Sequence, residues 1–437
     1  MIILLKNKHT LQVDDFYFKC CIGKKGISIN KKEGDKKTPK GIFEIENLYF
    51  RKDRIRKPIT SLKCVEIKKK FPDIEFLVES SDIRCFSDLE YESKGIQIVS
   101  DLSLCDIIIG VKEVPIEKLI PGKKYFFFSH TIKKQPYNKK LLQEILFKNI
   151  DLYDHEAIVD KSNNRLIGFG YYAGVIGAYN GFRTYGLKKG LFKLKKAVSL
   201  KDRVEFNKVL KGINLPNIKI LLSGKGRVGK GTAEVLDFLK IKHVSTDDFI
   251  FKSFNEPVYT NIDVLDYNRS NLIENSVSNF YSFPEKFEST FSKYSSVADI
   301  YFAGHYHNPK APKLITNQNI KDISFKIDVI ADISCDIDGP IASTIRSSTI
   351  DDPIYGFHKL NSVECDFLDS NAIAVMAVDN LPCELPRDSS EMFGEMFLKH
   401  VIPSFFNADK DHILKNSQIT SHGKLTNRFN YLSDYVL

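Results

Sequence analysis

"LLSGKGRVGKGTAEVL", Leu221 to Leu236, carries two phosphate-binding patterns in one string. Gly224, Gly226 and Gly229 spell G-x-G-x-x-G, the phosphate turn of a dinucleotide-binding fold. Gly224, Gly229 and Lys230 also spell G-x-x-x-x-G-K, with Gly231 and Thr232 behind. That is close to the phosphate loop of nucleotide kinases, whose Lys reaches the outer phosphates. "IKILLSG" before the turn reads as a buried strand and "GTAEVLDFLK" after it as a helix. Either way, backbone N–H groups and a helix dipole face an anion. The string alone does not choose between redox chemistry and phosphoryl transfer.

Its surroundings favour the redox reading. A kinase also needs Lys230 on the outer phosphates and a carboxylate for magnesium. Here no arginine-rich lid follows the helix, and the loop sits in mid-chain. In a dinucleotide fold Gly224 makes the turn, Gly226 lets the pyrophosphate approach and Gly229 lets helix and strand pack closely. An acid is then expected at the end of the second strand, roughly 20 residues on. We read "KHVSTDDF" as that strand. Ser245 and Thr246 stand where the acid belongs, with Asp247 just beyond. NAD and NADP both stay open, and the two hydroxyls, able to bond a 2′-phosphate, tilt the expectation toward NADP.

The bulk composition bounds the rest. The chain has 437 residues, is 43 % hydrophobic and 27 % charged, and contains 32 Phe and no Trp. That length suits two or three globular domains. The net charge of +9 is spread along the chain rather than striped, which argues against nucleic acid and for an anionic small substrate. Eight scattered Cys with no C-x-x-C pair read as reduced thiols in a cytoplasmic protein, not a disulfide or zinc framework. No apolar run reaches the length of a membrane span, and "MIILLKNKHT" is too short for a signal peptide. His305 and His307 in "GHYH" lack a third ligand nearby, so no metal is expected.

From about Val65 strands and helices alternate: "CVEIKKKF" helix, "IEFLVE" strand, "SDLEYESKG" helix, then "IIIGVKE" and "YFFFS" strands, "NKKLLQEILFKN" helix and "IDLYDHE" strand. Such alternation predicts α/β architecture with parallel sheets covered on both faces. "GFGYYAGVIGAYNGFRTYG", Gly168 to Gly186, predicts a helix whose small residues let backbones approach. A second α/β unit runs from "IKILLSG" through "FKIDVIADIS" to "NAIAVMAVDN", and "SSEMFGEMFLKHVIPSFF" is an amphipathic helix. The fold class expected is therefore two Rossmann-like doubly wound parallel-sheet domains plus a short β-rich N-terminal appendage. The boundaries fall at 1–63 for the appendage, 64–203 completed by 384–437 for a substrate domain, and 204–383 for a dinucleotide domain.

Candidate chemistry gathers at strand ends, where parallel α/β enzymes keep their sites. Lys112 and Glu113 follow one apolar strand, His130 follows another, and Glu156 ends a third. A Lys and a His so placed form a candidate acid–base pair.

These strings resemble the lysine-forming saccharopine dehydrogenase family, in particular its lysine–ketoglutarate reductase branch, with alanine dehydrogenases and the transhydrogenase domain as more distant kin. The resemblance rests on "GVKE", "FSHTIK", "FGYYAGVIGAYNG", "GKGRVGKG", "ADISCDIDGPI", "SSTIDDPIYGF" and "VDNLPCELPRDSSEMFG", in order over about 370 residues. It implies that Lys112 and His130 are the acid–base pair, tuned by Glu113 and Glu156. It implies cofactor contacts at Gly224, Gly226, Arg227, Val228, Gly229, Thr246, Asp247 and Asp332, with NAD or NADP bound. It implies reductive coupling of lysine and 2-oxoglutarate through an imine, to which the nicotinamide delivers a hydride. A product with three carboxylates needs cations, and Arg84, Lys133 and Arg56 are the candidates. Small-molecule amino acid and 2-oxo acid are the expected partners, with no nucleic acid or membrane.

Residues 1 to about 60 depart from that family. "GKKGISINKKEGDKKTPKGIFEI" resembles the start of an L,D-transpeptidase-type domain, but the Ser-x-Gly-Cys-like loop of that family is absent, so transpeptidation is not expected. We expect a fused, separate Lys-rich unit that has replaced the first strand of the substrate domain. Two alternatives follow: an alanine-dehydrogenase-like enzyme using ammonia and pyruvate, or a catalytically impaired nucleotide-binding protein.

Overall fold

The computed structural model describes residues 3–7, 10–13, 16–19, 27–28, 38–39, 63–72 and 74–437. The chain divides into two compact units, Met1–Lys52 and Asp53–Leu437. In the first, β1 (Ile3–Asn7), β2 (Thr10–Val13) and β3 (Phe16–Lys19) form an antiparallel meander, and β4 (Ile27–Ser28) pairs in parallel with β5 (Thr38–Pro39). The stretch "GIFEIENLYF", which reads as a strand, and the candidate Arg56 lie outside the described residues.

The second unit opens with α1 (Lys63–Lys70), the parallel pair β6 (Leu77–Glu79) and β7 (Gln97–Val99) around α2 (Asp88–Glu92), and then a three-stranded parallel sheet. Its strands are β8 (Ile107–Lys112), β9 (Lys124–Phe128) and β10 (Asp151–Asp154), with α3 (Lys139–Phe147) before β10. β9 lies in the middle, which explains its aromatic run. Tyr125 and Phe127 enter one core and Phe126 and Phe128 the other. A strand covered on both faces reads as continuous rather than alternating hydrophobicity.

A 20-residue helix, α4 (Gly170–Lys189), and α5 (Arg203–Leu210) lead to the second sheet. That sheet is built from β11 (Lys219–Ser223), β12 (Lys242–His243), β13 (Val258–Ile262), β16 (Ile300–Ala303), β17 (Val329–Asp332), β18 (Ile354–His358), β19 (Glu364–Cys365) and β20 (Ala372–Met376). Their order is β12-β13-β11-β16-β17-β20-β18-β19, parallel from β12 to β20 and antiparallel beyond. The short pair β14 (Asn268–Arg269) and β15 (Glu288–Ser289) lies apart. α6 (Arg227–Phe238), α7 (Thr246–Phe251), α8 (Val264–Tyr267), α9 (Val277–Ser282), α10 (Ser292–Ser295) and α11 (Asn317–Lys321) fill the connections. The α/β class of two parallel-sheet halves expected from the alternation is what the chain adopts.

α4 packs on α6 with almost no side chain between them. A Cβ on Gly174 would overlap the Val228 carbonyl, and one on Gly231 the Tyr171 carbonyl. Further along α4, Gly177 meets Ile333 and Gly181 meets Phe302. α4 is buried all round and stops at Gly190, whose φ of 66° is left-handed.

The chain then returns to the first half. Buried Glu384, just before α12 (Pro386–His400), accepts from Asn180 Nδ2 of α4 at 2.7 Å. After α13 (Ile413–Ser417), β21 (Thr420–Ser421) adds to the β10 edge, where Leu152 N donates to Thr420 Oγ1 at 2.9 Å and Ile419 N to Leu152 O at 2.7 Å. β22 (Lys424–Leu425) completes a hairpin, and α14 (Ser433–Val436) covers α3. Among the described residues no helix is long and apolar enough to cross a membrane.

Candidate active site

The ends of β8, β9 and β10 converge. Lys112 Nζ lies 3.4 Å from His130 Nε2. His130 Nδ1 is 4.0 Å from Glu156 Oε2, and Glu156 Oε1 is 3.4 Å from Lys133 Nζ. Glu113 is buried beside them. Four of the residues picked from sequence therefore meet directly.

One buried carboxylate sets this register. Asp154 ends β10 and is fully buried. It accepts from Ser129 N at 3.1 Å, from the Ser129 hydroxyl, and from Glu156 N at 2.7 Å. Ser129 Oγ also pairs with Thr131 Oγ1 at 2.7 Å. The residue between them, His130, sits at φ 55°, a left-handed conformation a non-glycine residue keeps only when its neighbours fix it. Burial lifts Asp154 to about 6 despite these donors.

His130 is held below the ordinary histidine range, first by burial and then by the Lys112 ammonium, while Glu113 and Glu156 pull the other way. The imidazole is thus neutral at pH 7 and able to take a proton. Its folded pKa is depressed, so the neutral form is lost only as pH falls below the ordinary value near 6.5. The acidic limb of a kcat/KM–pH profile is expected below 6.5, and Lys112→Met should shift it upward. A limb at or above 6.5 in the parent enzyme would remove His130 as the base.

The cationic side differs from expectation. Arg84 does not present a free guanidinium. It is buried, donates to the Glu79 and Phe86 carbonyls, pairs with Asp88 and stacks over Tyr91 with its centre 4.7 Å from the ring. Its charge is used up holding the β6–α2 turn, so the assignment to a substrate carboxylate is corrected. The cation that sequence reasoning missed is Arg165. The turn Asp160–Asn164 folds back to a bridge between Val159 and Arg165, placing Arg165 Nη1 3.5 Å from Glu156 Oε1 and its guanidinium over Phe128. In the string "KSNNRLIG" it reads as an ordinary surface charge.

At the glycine turn the kinase reading fails on geometry. The position after Lys230, where that loop carries the Ser or Thr that holds magnesium, is Gly231, which is needed for the α4 contact. Thr232 beyond it is buried and donates to the Gly174 carbonyl at 3.1 Å. Lys230 is exposed. The three motif glycines behave differently. Gly224 has φ 95° and a Cβ there would come 2.5 Å from Gly304 O; one on Gly229 would overlap Gly224 O. Gly226 has open space around it. The turn is thus a cradle that side chains would fill. Gly226→Val should leave stability unchanged while weakening dinucleotide binding at least about tenfold, ~1.4 kcal/mol; unchanged affinity by titration would sink the site. Arg227 leans toward the first half, with its Nη2 donating to the Arg165 carbonyl. Val228 packs its side chain on Gly304.

Thr246 and Asp247 do not end a strand beside the turn. β12 is two residues long at the sheet edge, and Ser245 caps α7, whose first residues are Thr246 and Asp247. The strand next to β11 is β13, and Asp263 follows it directly. Gly224 N donates to Ile262 O at 2.9 Å, so Asp263 stands beside the turn. A short strand and helix inserted ahead of β13 put this acid well past the usual spacing. Asp332, expected at the nucleotide, instead spends both oxygens on its own loop. Oδ1 accepts from Ser334 Oγ at 2.6 Å and Cys335 N at 3.0 Å, and Oδ2 from Thr344 Oγ1 at 2.6 Å. That loop carries Asp336, an exposed residue whose carboxyl is raised by partial desolvation and drawn back by the Lys133 ammonium. Among the described residues no group of three metal ligands forms.

Comparisons with known proteins agree with this arrangement. Residues 52–176 match the model described as "Alanine dehydrogenase/PNT, N-terminal domain", and residues 260–428 that described as "Alanine dehydrogenase/PNT, C-terminal domain". The chain is 27 % identical over 455 residues to "Alpha-aminoadipic semialdehyde synthase" of Arabidopsis thaliana, covering 93 % of this chain and 42 % of that one. It is 25 % identical over 348 residues to "Saccharopine dehydrogenase [NAD(+), L-lysine-forming]" of Yarrowia lipolytica, covering 75 % of this chain and 83 % of that one. The first of these matches reaches into the initial 60 residues, earlier than the resemblance read from Val65 onward. The chain spans less than half the length of the semialdehyde synthases it matches. Among solved structures the fold is similar to "L-ALANINE DEHYDROGENASE", with TM-score 0.60 at 14 % identity over 90 % of this chain and 98 % of that one. It is also similar to the transhydrogenase from Sinorhizobium meliloti, with TM-score 0.53 at 13 % identity over 85 % of this chain and 96 % of that one. With both domain models matched in order and the whole fold shared, this chain belongs to the alanine dehydrogenase/PNT family.

Proposed function

We propose that this chain is a nicotinamide-dependent oxidoreductase of the saccharopine dehydrogenase type, which couples L-lysine to 2-oxoglutarate, or runs the reverse. Residues 204–383 form its cofactor half, and 64–203 with 384–437 its substrate half. The observation that carries the reading is the Lys112–His130 pair at 3.4 Å, beside Glu156 and ringed by Lys133 and Arg165.

Neutral His130 takes a proton from the attacking amine. Lys112 gives a proton to the ketone oxygen, forming a carbinolamine. His130 returns its proton to that hydroxyl, which leaves as water. Lys112 takes the remaining N–H proton, giving an imine with both groups restored. Glu156 holds charge balance on the pair, while Lys133 and Arg165 bind carboxylates and Asp336 offers an anion to a substrate ammonium. Gly224, Gly226 and Gly229 would hold the pyrophosphate, and Asp263 the adenosine ribose. When bound, the nicotinamide supplies or accepts a hydride.

The position of Asp263 favours NAD over the NADP expected from Ser245 and Thr246, because a carboxylate accepts from a 2′-hydroxyl and repels a 2′-phosphate. NADH should bind at least about tenfold tighter than NADPH, and Asp263→Ala should narrow the gap. Equal affinities in the parent protein would overturn the preference.

The deciding assay is NADH and NADPH oxidation with 2-oxoglutarate, with and without L-lysine, and with pyruvate plus ammonia as a separate arm. Lysine-dependent oxidation supports the proposal. Turnover only with pyruvate and ammonia moves the chain to the alanine-dehydrogenase reaction. Saturable binding without turnover on any 2-oxo acid leaves a nucleotide-binding protein.

A further inference from the structure

His155 is a buried polar side chain that the chemistry above does not use. It follows β10 directly, between Asp154 and Glu156, and has no exposed surface. Aromatic rings cage it. Phe128 lies 5.0 Å away, Phe393 5.3 Å and Phe397 5.8 Å, centre to centre, all edge-on. An apolar side chain would suit such a cage, because a buried imidazole gives up its hydrogen bonds to water. His155 recovers only one of them. Its Nε2 lies 2.8 Å from the Gly110 carbonyl, while its Nδ1 has no partner among the described residues. A carbonyl only accepts, so Nε2 carries the proton. Burial, opposed by the Gly110 bond and helped by the Arg165 guanidinium, holds the imidazole down at about 3. The ring is therefore neutral at pH 7, with its one proton committed to Gly110.

That bond falls at an irregularity. β8 pairs with β9 as Ile107 with Lys124, Ile108 with Tyr125 and Ile109 with Phe126, but the next pair is Lys112 with Phe128. Gly110 and Val111 thus stand opposite Phe127 alone. This is a bulge of one residue, a device that re-aims side chains next to active sites. In an unbroken ladder Val111 would stand opposite Phe128, and Lys112 would lie one residue further along. The Gly110 carbonyl is held from the far side of the sheet, since β9 lies between β8 and β10. The same His155 ring meets Phe128, which in turn stacks on His130 at 6.3 Å and 16°. One side chain thereby braces the ends of both strands that deliver Lys112 and His130.

We infer that His155 is a positioning residue: its Nε2–H bond to the Gly110 carbonyl fixes the bulge in β8 and so sets the reach of Lys112 to His130. The inference rests on the acid–base roles proposed for those two residues. His155 itself touches no reacting atom and moves no proton. What it supplies is register, at the cost of an unpaired Nδ1 in an apolar cage.

The test compares the parent with His155→Gln, His155→Leu and His155→Met. Gln brings an amide N–H to the Gly110 carbonyl, whereas Leu and Met fill the cage without the bond. Turnover per folded molecule is measured with whichever substrate pair above the parent uses. His130 is titrated by NMR of protein carrying nitrogen-labelled histidine, its signal identified by its absence in His130→Gln. Both apolar variants should lose about tenfold or more in kcat, because misplacement by about 1 Å can cost about 100-fold. NADH affinity should stay within about twofold, and His155→Gln should keep kcat within about threefold of the parent. Beyond burial, Lys112 and Lys133 hold His130 down while Glu113 and Glu156 lift it. Withdrawal of the Lys112 ammonium in the apolar variants should therefore raise the His130 pKa toward 6.5, and His155→Gln should leave it where it is. Parent kcat with an unmoved His130 in the apolar variants overturns the assignment, as does a Gln variant as impaired as they are. A parent without turnover on either substrate pair overturns the proposed reaction instead, and the His130 titration then decides by itself whether His155 places Lys112.

Discussion

Lys112→Met should lower turnover by about 100-fold or more while NADH affinity stays within about twofold, the signature of a lost proton-transfer group. Lys112 is exposed, so the fold does not depend on it. A melting temperature close to that of the parent is therefore part of the expected result. His130→Gln should lose as much turnover. It removes the ring that fills the left-handed turn at φ 55°, and Gln is a poorer occupant of that conformation, so this variant should also melt earlier. Near-normal turnover per folded molecule in either variant would take that residue out of the mechanism. Loss of activity accompanied by an equal loss of folded protein would make it structural.

Gly231→Ala should destabilise the protein by about 3 kcal/mol or more. The added methyl overlaps the Tyr171 carbonyl, a backbone atom that cannot swing away, and overpacking of a fixed site lies at the high end of such costs. Gly174→Ala meets the Val228 carbonyl and should behave alike. Denaturant unfolding of these two beside Gly226→Val makes the contrast, because the last has open space and keeps parent stability. A Gly231→Ala protein as stable as its parent would mean that α4 and α6 do not pack as described.

Much of this was legible in the chain. The run "YFFFS" announced a strand, the alternation of strands and helices a parallel sheet covered on both faces, and the Gly-rich run from Gly168 a helix in backbone contact. What stayed ambiguous was decided by contacts distant in sequence. Thr232 and Gly231 come close to a kinase loop as letters, and their meeting with Gly174 and Tyr171 shows what occupies them. Lys112, His130, Lys133 and Glu156 were visible because strand ends of one parallel sheet collect side chains by rule. Arg84 was misassigned and Arg165 passed over because a guanidinium's partner is set by tertiary folding. One is consumed by Asp88 and two carbonyls, the other delivered to Glu156 by a five-residue turn. Asp263 escaped notice because residue counting assumes that the next strand in sequence is the next in the sheet, whereas β12 lies at the edge.

The seam between α4 and α6 also limits how the two halves can move against each other. Helices in carbonyl-to-glycine contact have no slack to slide, so α4 travels with the cofactor half as one lever. Asn180 fastens the returning chain to the same lever at Glu384. If the cleft widens, the chain is expected to bend at two short spans, just before Gly168 and just after Glu384. The Arg227 side chain on the Arg165 carbonyl adds one polar tie between the halves close to the first of these spans.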